Sequence, residues 1–402
     1  MSNASSNQVS ILSSLESSYN EAPDQTAAMR RVPILGDDLR PLKETVEDET
    51  INPDRSTEKS LLVSKKAAGT TRHGFDLLNY ELFFKELLQS SALTTLNATT
   101  VSVTYASVAG GYTITPAGSE FDIFNGSARP SYVYISGATN TDHNGFRRVV
   151  SVSSGVITIA ASGETTGADT ISVRTHYYRN GSTRTSRLVE KHFGDIDRRH
   201  HYRGMEVNAG AIQIAAKEAI QCSFDWMGAQ FGSGFGGSQT ASAGDTGAAL
   251  DPYAAERLTA SNNVATIYNA GSAIGACVRA LDINITNNQA EDACVGELVS
   301  SKLNTNGQFN VTGTISMLVD DSDLIEIMDG HTALELAFLL TDAAGNAWGI
   351  SLPEIVFDEV DMPTEGRNTP VVQTYNFSAS KDATLEHQIE IAALTLTNLA
   401  IT

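Results

Sequence analysis

HHYRGMEVNAGAIQIAAKEAIQCSFDWMG, residues 200–228, is the stretch that decides the fold class. Residues 201–207 and 211–226 read as long strands, and Ile220, Cys222 and Phe224 alternate along one face, the period of a strand with one buried side. A further strand is expected at residues 186–193. The run KHFGDIDRRHHYRG that overlaps this stretch, residues 191–204, reads as a charged hairpin turn between two strands. Cys222 is then a buried structural thiol. Immediately downstream, GAQFGSGFGGSQTASAGDTGAALDP, residues 228–252, offers little to bury and reads as a flexible loop within the main body.

Working back toward the amino terminus, RRVPIL at residues 30–35 is strand-like and follows a polar segment, residues 1–30, expected as a flexible arm. KETVEDETINPDRSTEKS, residues 43–60, is an acidic loop, and residues 61–71 read as a strand. The period then changes. Phe75, Leu78, Leu82, Phe83, Leu87 and Leu88 recur at spacings of three and four, which predicts a helix over residues 75–89 with its apolar face against a sheet. Residues 94–177 are different again: VSVTYASV, YTITPAG, YVYISG, GFRRVVSV, GVITIA and TISVRTHY are short alternating segments separated by Gly turns. They form a small all-β unit inserted into a loop of the main body, where insertions are best tolerated.

The second half repeats the first in order and type of element. Residues 66–70 and the helix after them correspond to residues 311–315 and a shorter helix at 321–328. The strands near 188–193 and 201–207 correspond to 333–340 and 346–352, and 211–224 to 371–377. Each copy reads strand, loop, strand, helix, strand pair, strand. The fold expected is mainly β: a sandwich or barrel over residues 31–93 and 178–402, built from two similar halves with one flanking helix each, plus the inserted domain 94–177.

The 402 residues include 47 acidic and 27 basic side chains for a net charge of -20, so the chain as a whole repels phosphate and is a poor nucleic-acid binder. The three cysteines have no C-x-x-C spacing and suggest neither a disulfide framework nor a zinc site. The first thirty residues lack the basic start and apolar run of a secretory signal, and synthesis in the cytoplasm is the expectation.

This order of elements resembles the major tail tube proteins of long, non-contractile bacteriophage tails. The resemblance is carried by SSLESSYNEAP (13–23), RVPILGDDLRPLKETVEDETINPDRS (31–56), the helix preceded by Gly-Thr, residues 200–228, FNVTGTISMLVDD (309–321) and TDAAGNAWGISLPEIVF (341–357). It implies a structural virion protein that forms stacked hexameric rings, a tube through which DNA is ejected without being specifically bound. The partners implied are copies of the chain itself, with the tape measure, tail tip and tail terminator proteins at or within the tube. No enzyme activity and no cofactor are implied. Long loops and an arm that orders on docking suit contacts between rings. The candidates are residues 1–30 and, in the acidic loop, Glu44, Glu47, Asp48, Glu49, Asp54 and Arg55. An acidic lumen is expected to keep DNA mobile. Residues 120–159, EFDIFNGSARPSYVYISGATNTDHNGFRRVVSVSSGVITI, resemble a small SH3-like barrel found inside some tube proteins. Asn140, Asn144, Gly145 and Phe146 hold its turn: Asn and Gly tolerate positive φ, and Phe146 anchors the returning strand.

Other motifs have plainer readings. His192, His200 and His201 near Asp195 and Asp197 fit no metal-ligand spacing. Asp320 to Asp323 lacks the Gly and terminal Glu of a calcium loop, so Asp321 or Ser322 is expected to cap a helix. Gly232, Gly234 and Gly237 satisfy G-x-G-x-x-G without a surrounding βαβ unit. Two alternative functions stand beside that of a tail tube, the first on similarity of architecture and the second on the Thr/Ser-rich strands of the insertion. One is a ring-forming tail or head-to-tail joining protein; the other is a β-rich adhesin or carbohydrate-binding protein.

Overall fold

A computed structural model of the chain describes residues 5–21, 28–51, 53–91, 93–160, 166–196, 198–232, 249–269, 272–273, 277–292, 294–301, 306–318, 324–364, 366–367 and 370–395. In chain order the first strands are β1 (Val9–Leu15), β2 (Arg30–Val32), β3 (Gly36–Asp37), β4 (Arg40–Val46) and β5 (Leu61–Gly74), followed by helix α1 (Glu81–Leu87). The inserted unit holds β6 (Thr94–Val108), β7 (Gly111–Pro116), β8 (Tyr132–Ser136), β9 (Gly145–Ser153), β10 (Val156–Ala160) and β11 (Gly167–Arg179). Then come β12 (Arg187–Phe193), β13 (Arg198–Ala215), β14 (Gln221–Gly228), β15 (Gln230–Phe231) and the single turn α2 (Ala260–Asn263). The remainder comprises β16 (Val264–Asn269), β17 (Ser272–Ala273), β18 (Val278–Thr286), β19 (Asn310–Leu318), α3 (Leu324–Asp329), β20 (Leu334–Thr341), β21 (Ala347–Asp361), β22 (Val372–Ala379) and β23 (Glu390–Leu394).

The duplication expected from the sequence is present in the hydrogen bonding. In the first copy β1 pairs with β2 and β12, β4 with β5, β12 with β13, β13 with β14 and β15, and β14 with β5. The second copy repeats all seven pairings through β16, β17, β18, β19, β20, β21, β22 and β23. In each copy the longest strand serves two sheets. The start of β13 pairs with β12 and its end with β14; the start of β21 pairs with β20 and its end with β22. Both strands change sheets at a backbone irregularity. Gly204 takes φ 63° in β13, and in β21 Pro353, which has no N–H to contribute, lies in the irregularity between Leu352 and Ile355, where pairing passes from β20 to β22.

The two copies join through β13 and β18, with Ala209 opposite Thr286 and Ala215 opposite Ala280. The result is one antiparallel central sheet in the order β4–β5–β14–β13–β18–β19–β22–β21. Its inner face supplies Phe224, Trp226, Ile212, Ile283, Ile315 and Tyr375 to a core that also takes Trp348 and Ile350 from the second copy's small sheet. Helix α1 wedges between these layers: Phe84 meets Phe224 at 5.0 Å and Trp348 at 5.5 Å between ring centres, and Phe83 meets Trp226 edge-on at 5.2 Å.

Three local expectations differ. The helix predicted over residues 75–89 is confined to Glu81–Leu87 because the Asp76 carboxylate accepts the N–H groups of Leu78 and Asn79 and holds that stretch in a turn. Its buried stripe is Tyr80, Phe83, Phe84, Leu87 and Leu88, whereas Leu82 is 53% exposed. Residues 211–226 are not one strand: Lys217 adopts φ 64° and a turn separates β13 from β14. The segment 1–30, expected as a flexible arm, contains β1, which buries Ile11 and Leu12 and pairs along the whole of β12.

The inserted unit closes on itself in the order β11–β6–β7–β10–β9–β8–β11. It has its own core, including Ile114, Phe121, Phe124, Val133, Ile135 and Val173. Buried charges fasten it to the body. Arg179 donates to Glu390 of β23 at 2.8 and 2.6 Å, Ser131 N–H donates to the other oxygen of that carboxylate at 2.6 Å, and buried Arg148 pairs with Glu335 of β20. Burial pushes the Glu390 carboxyl up, but Arg179, with His387 and the Ser131 N–H, more than offsets it, so Glu390 lies below the ordinary carboxylate range.

Candidate assembly surface

Alternation along the central sheet leaves its second face to solvent, and that face is chemically uniform. One row across the strands reads Arg72, Ser223, Ala211, Asn284, Thr312, Ser378 and Val356. The next reads Gln221, Gln213, Asp282, Thr314, Asn376 and Glu359. Hydroxyls, amides and methyls dominate, and several bond to one another. Ser316 and Thr374 share a hydrogen bond of 2.8 Å, Thr70 donates to Asp225 at 2.5 Å, and Asn376 donates to Glu359 at 3.3 Å. Burial raises the pKa of Asp282, with the Thr314 hydroxyl opposing that shift.

Both lateral edges of this sheet are open. Among the described residues β4 pairs only with β5, and the end of β21, from Val356 to Asp361, pairs only with β22. An unpaired strand edge is a template for another strand. Pro41 within β4 is consistent with an edge position. Asp358, Glu359 and Asp361 are exposed on one edge, Arg40 and Lys43 on the other.

The acidic loop is the tip of a hairpin that extends β4 and β5 past their neighbours. Glu44 lies in β4 and pairs with Lys66, which Glu291 also approaches at 3.4 Å; the bond to Glu44 and then the field of Glu291 raise the Lys66 pKa against the pull of burial. Glu47, Asp48, Glu49, Asp54 and Arg55 occupy the connecting segment. Asp48 accepts the Thr50 hydroxyl and its N–H, the latter at 3.0 Å, and Asp54 accepts the Ser56 hydroxyl at 2.7 Å and its N–H at 3.1 Å, and these bonds lower both carboxyl pKa values. Arg55 takes the left-handed φ of 63°. Sequence reasoning chose the charged residues and passed over the apolar ones. Val46, Ile51, Leu61 and Val63 are 56%, 94%, 58% and 48% exposed, a clustering that marks an interaction surface. The segment near Leu298, itself 48% exposed, joins them through Lys65 N–H to Leu298 C=O at 2.8 Å.

The turn residues of the insert lie together. Asn140 caps the short turn Thr141–His143 by accepting Asp142 N–H at 3.1 Å, and Asn144 bridges Ala138 N–H and C=O at 2.9 and 3.0 Å. Gly145 has φ 102°, which a side chain would disfavour. Phe146 is half-buried against Tyr134 at the junction with the body, and the insert's own core is anchored by Phe121 and Phe124 instead. The histidines separate: His200 packs between Phe193 and Phe231, and His201 bonds buried Glu190 at 2.8 Å. Among the described residues no group of three His, Cys, Asp or Glu side chains is placed to hold a metal. The Asp321 or Ser322 cap and Gly234 and Gly237 of the glycine pattern lie outside the described residues, as does most of 228–252.

A duplicated β-body with two open edges, a polar sheet face and an exposed apolar hairpin defines a structural, self-assembling building block. The chain belongs to the phage tail tube protein family, whose profile matches residues 6–379. It is a structural component of the virion tail. No curated protein matches it. No helix among the described residues is long and apolar enough to cross a membrane.

Proposed function

We propose that copies of this chain join edge to edge into rings of six-fold form, as the family resemblance implies, and that the rings stack into the tube that conducts DNA during ejection from a long, non-contractile tail. The observation that carries this reading is the central sheet open at both edges, because lateral pairing satisfies those backbone groups and closes a wall at once. The outer face of that sheet, rich in Thr, Ser, Asn and Gln, then lines the lumen. Stacking uses the β4–β5 hairpin, with Glu44, Glu47, Asp48, Glu49, Asp54 and Arg55 beside its exposed apolar residues, together with the first thirty residues. The tape measure lies within the lumen, and the tip and terminator proteins cap the two ends.

Negative-stain microscopy of the purified protein at high concentration, in parallel with a variant whose residues 48–58 are replaced by a short turn, tests both halves. Tubes from the full chain and unstacked rings from the variant are expected. A full chain that forms closed rings and never stacks would instead identify a joining protein.

A further inference from the structure

The internal joint between the two copies describes the joint between chains. Within each copy the central-sheet order is the same, β4–β5–β14–β13 in the first and β18–β19–β22–β21 in the second. The last strand of the first copy, β13, pairs antiparallel with the first strand of the second, β18. This is a head-to-tail contact between similar units, and a contact of that kind repeats until it closes a ring or runs on as a filament. The corresponding tail of the second copy is the end of β21, and the corresponding head of the first copy is the edge formed by β3 and β4. These are the two edges that stand open.

Resting on the tube reading above, the geometry points to an antiparallel pairing of residues 356–361 of one chain with the β3–β4 edge of a second copy, so that each ring of six repeat units contains three chains. Charge agrees with the pairing. Asp358, Glu359 and Asp361 line one edge, and Arg40 and Lys43 the other. On the β3–β4 side Asp37 is engaged by Lys191 and Glu44 by Lys66, while Asp38 and Arg40 offset each other, so Lys43 is the cation that side presents. Like edges therefore repel and unlike edges attract, which selects head-to-tail growth.

Size gives a separate argument. Each chain brings eight strands to the wall; at about 4.8 Å between strands and a tilt of up to about 40°, three chains enclose a backbone bore of roughly 35–50 Å, and six chains roughly 75–95 Å. The smaller bore fits one hydrated DNA duplex, and the larger would hold several side by side.

The test is native mass measurement of rings and microscopy of tubes from the full chain, from Glu359→Lys with Asp361→Lys, and from that pair combined with Arg40→Glu and Lys43→Glu. Rings of three times 42.8 kDa are expected. The first variant should keep its thermal transition yet lose tube yield by about tenfold or more, and the combined variant should recover it. Rings of six chains, or full assembly by the first variant, would overturn the three-chain pairing and leave the tube reading standing. A chain that forms neither rings nor tubes, even when seeded with tail tips, would overturn both.

Discussion

His73 is neutral by construction. A carbonyl only accepts, so the 2.7 Å contact to Pro33 C=O places the ring proton on Nδ1, and Nε2 must accept from the Thr71 hydroxyl at 2.8 Å. Trp226 Nε1–H in turn donates to that hydroxyl at 2.9 Å. Burial among Tyr80, Phe83 and Phe224 pushes the imidazole pKa down from 6.5 to about 4, the Pro33 bond opposing it. The unfolded chain binds a proton below pH 6.5 that the folded chain refuses until about pH 4. Stability should therefore fall across that window, by up to about 3 kcal/mol from this one group, and fall no further from it below the folded pKa. Chemical denaturation of the wild type and of His73→Leu at several pH values checks this. The variant should lose about 1–3 kcal/mol at pH 7 from its broken bonds. The gap between the two curves should narrow as the pH is lowered; a constant gap would show that His73 does not titrate in this way. Cys222 was legible from the sequence because its burial follows from alternation along one strand. The state of His73 was not, since Pro33 lies forty residues away and Trp226 on another strand.

Among the elements, those set by local pattern were legible and those set by distant partners were not. β5, β12 and the hairpin turn between β12 and β13 follow from alternation and charge. The truncation of α1 depends on one competing side chain, Asp76, within a stretch whose apolar spacing is helical. The pairing of β1 with β12 joins residues about 180 positions apart, and the Ser-rich sequence around Ile11 gives little sign of it. The inserted barrel was legible as a unit because each of its short strands carries its own turns, and its closure explains why: β6 to β10 find their partners within the insert, and only the end of β11 pairs outside it, with β23. The link from α3 to β20 in the second copy, where no domain intervenes, indicates that the body does not need it to connect α1 to β12. Residues 94–177 expressed alone should therefore unfold cooperatively on heating. In that fragment Phe124→Ala, at a fully buried ring, should cost about 3–5 kcal/mol. A fragment without a cooperative transition would mean that the buried pairs to Glu335 and Glu390 are required for the barrel to fold.

At the scale of the molecule, the charge of -20 suggested a lumen that repels DNA by its acids, yet the sheet face assigned to the lumen is mostly uncharged. Arg72, Asp225, Asp282, Glu359 and Asp361 are scattered among hydroxyls and amides, and no run of cations crosses it. A wall of this kind keeps DNA mobile chiefly by offering few phosphate contacts, since each Lys or Arg that neutralises a phosphate strengthens binding by releasing counterions. Adding cations should reverse that property without disturbing assembly, because Gln213 and Thr312 are exposed and lie away from both open edges. Tubes formed from Gln213→Lys with Thr312→Lys should retain duplex DNA at low salt and release it as salt is raised. The logarithm of retention should fall against the logarithm of salt with a slope of about -0.9 for each phosphate engaged. Gln213→Ala with Thr312→Ala should retain no more than the wild type. Each tube repeats the substitution many times along its length, so even weak single contacts add along one duplex, and ejection from reconstituted particles should slow. Lysine tubes that hold no DNA at low salt would place this face on the outside of the tube, and the wall facing the DNA would then have to be the opposite side of the sandwich.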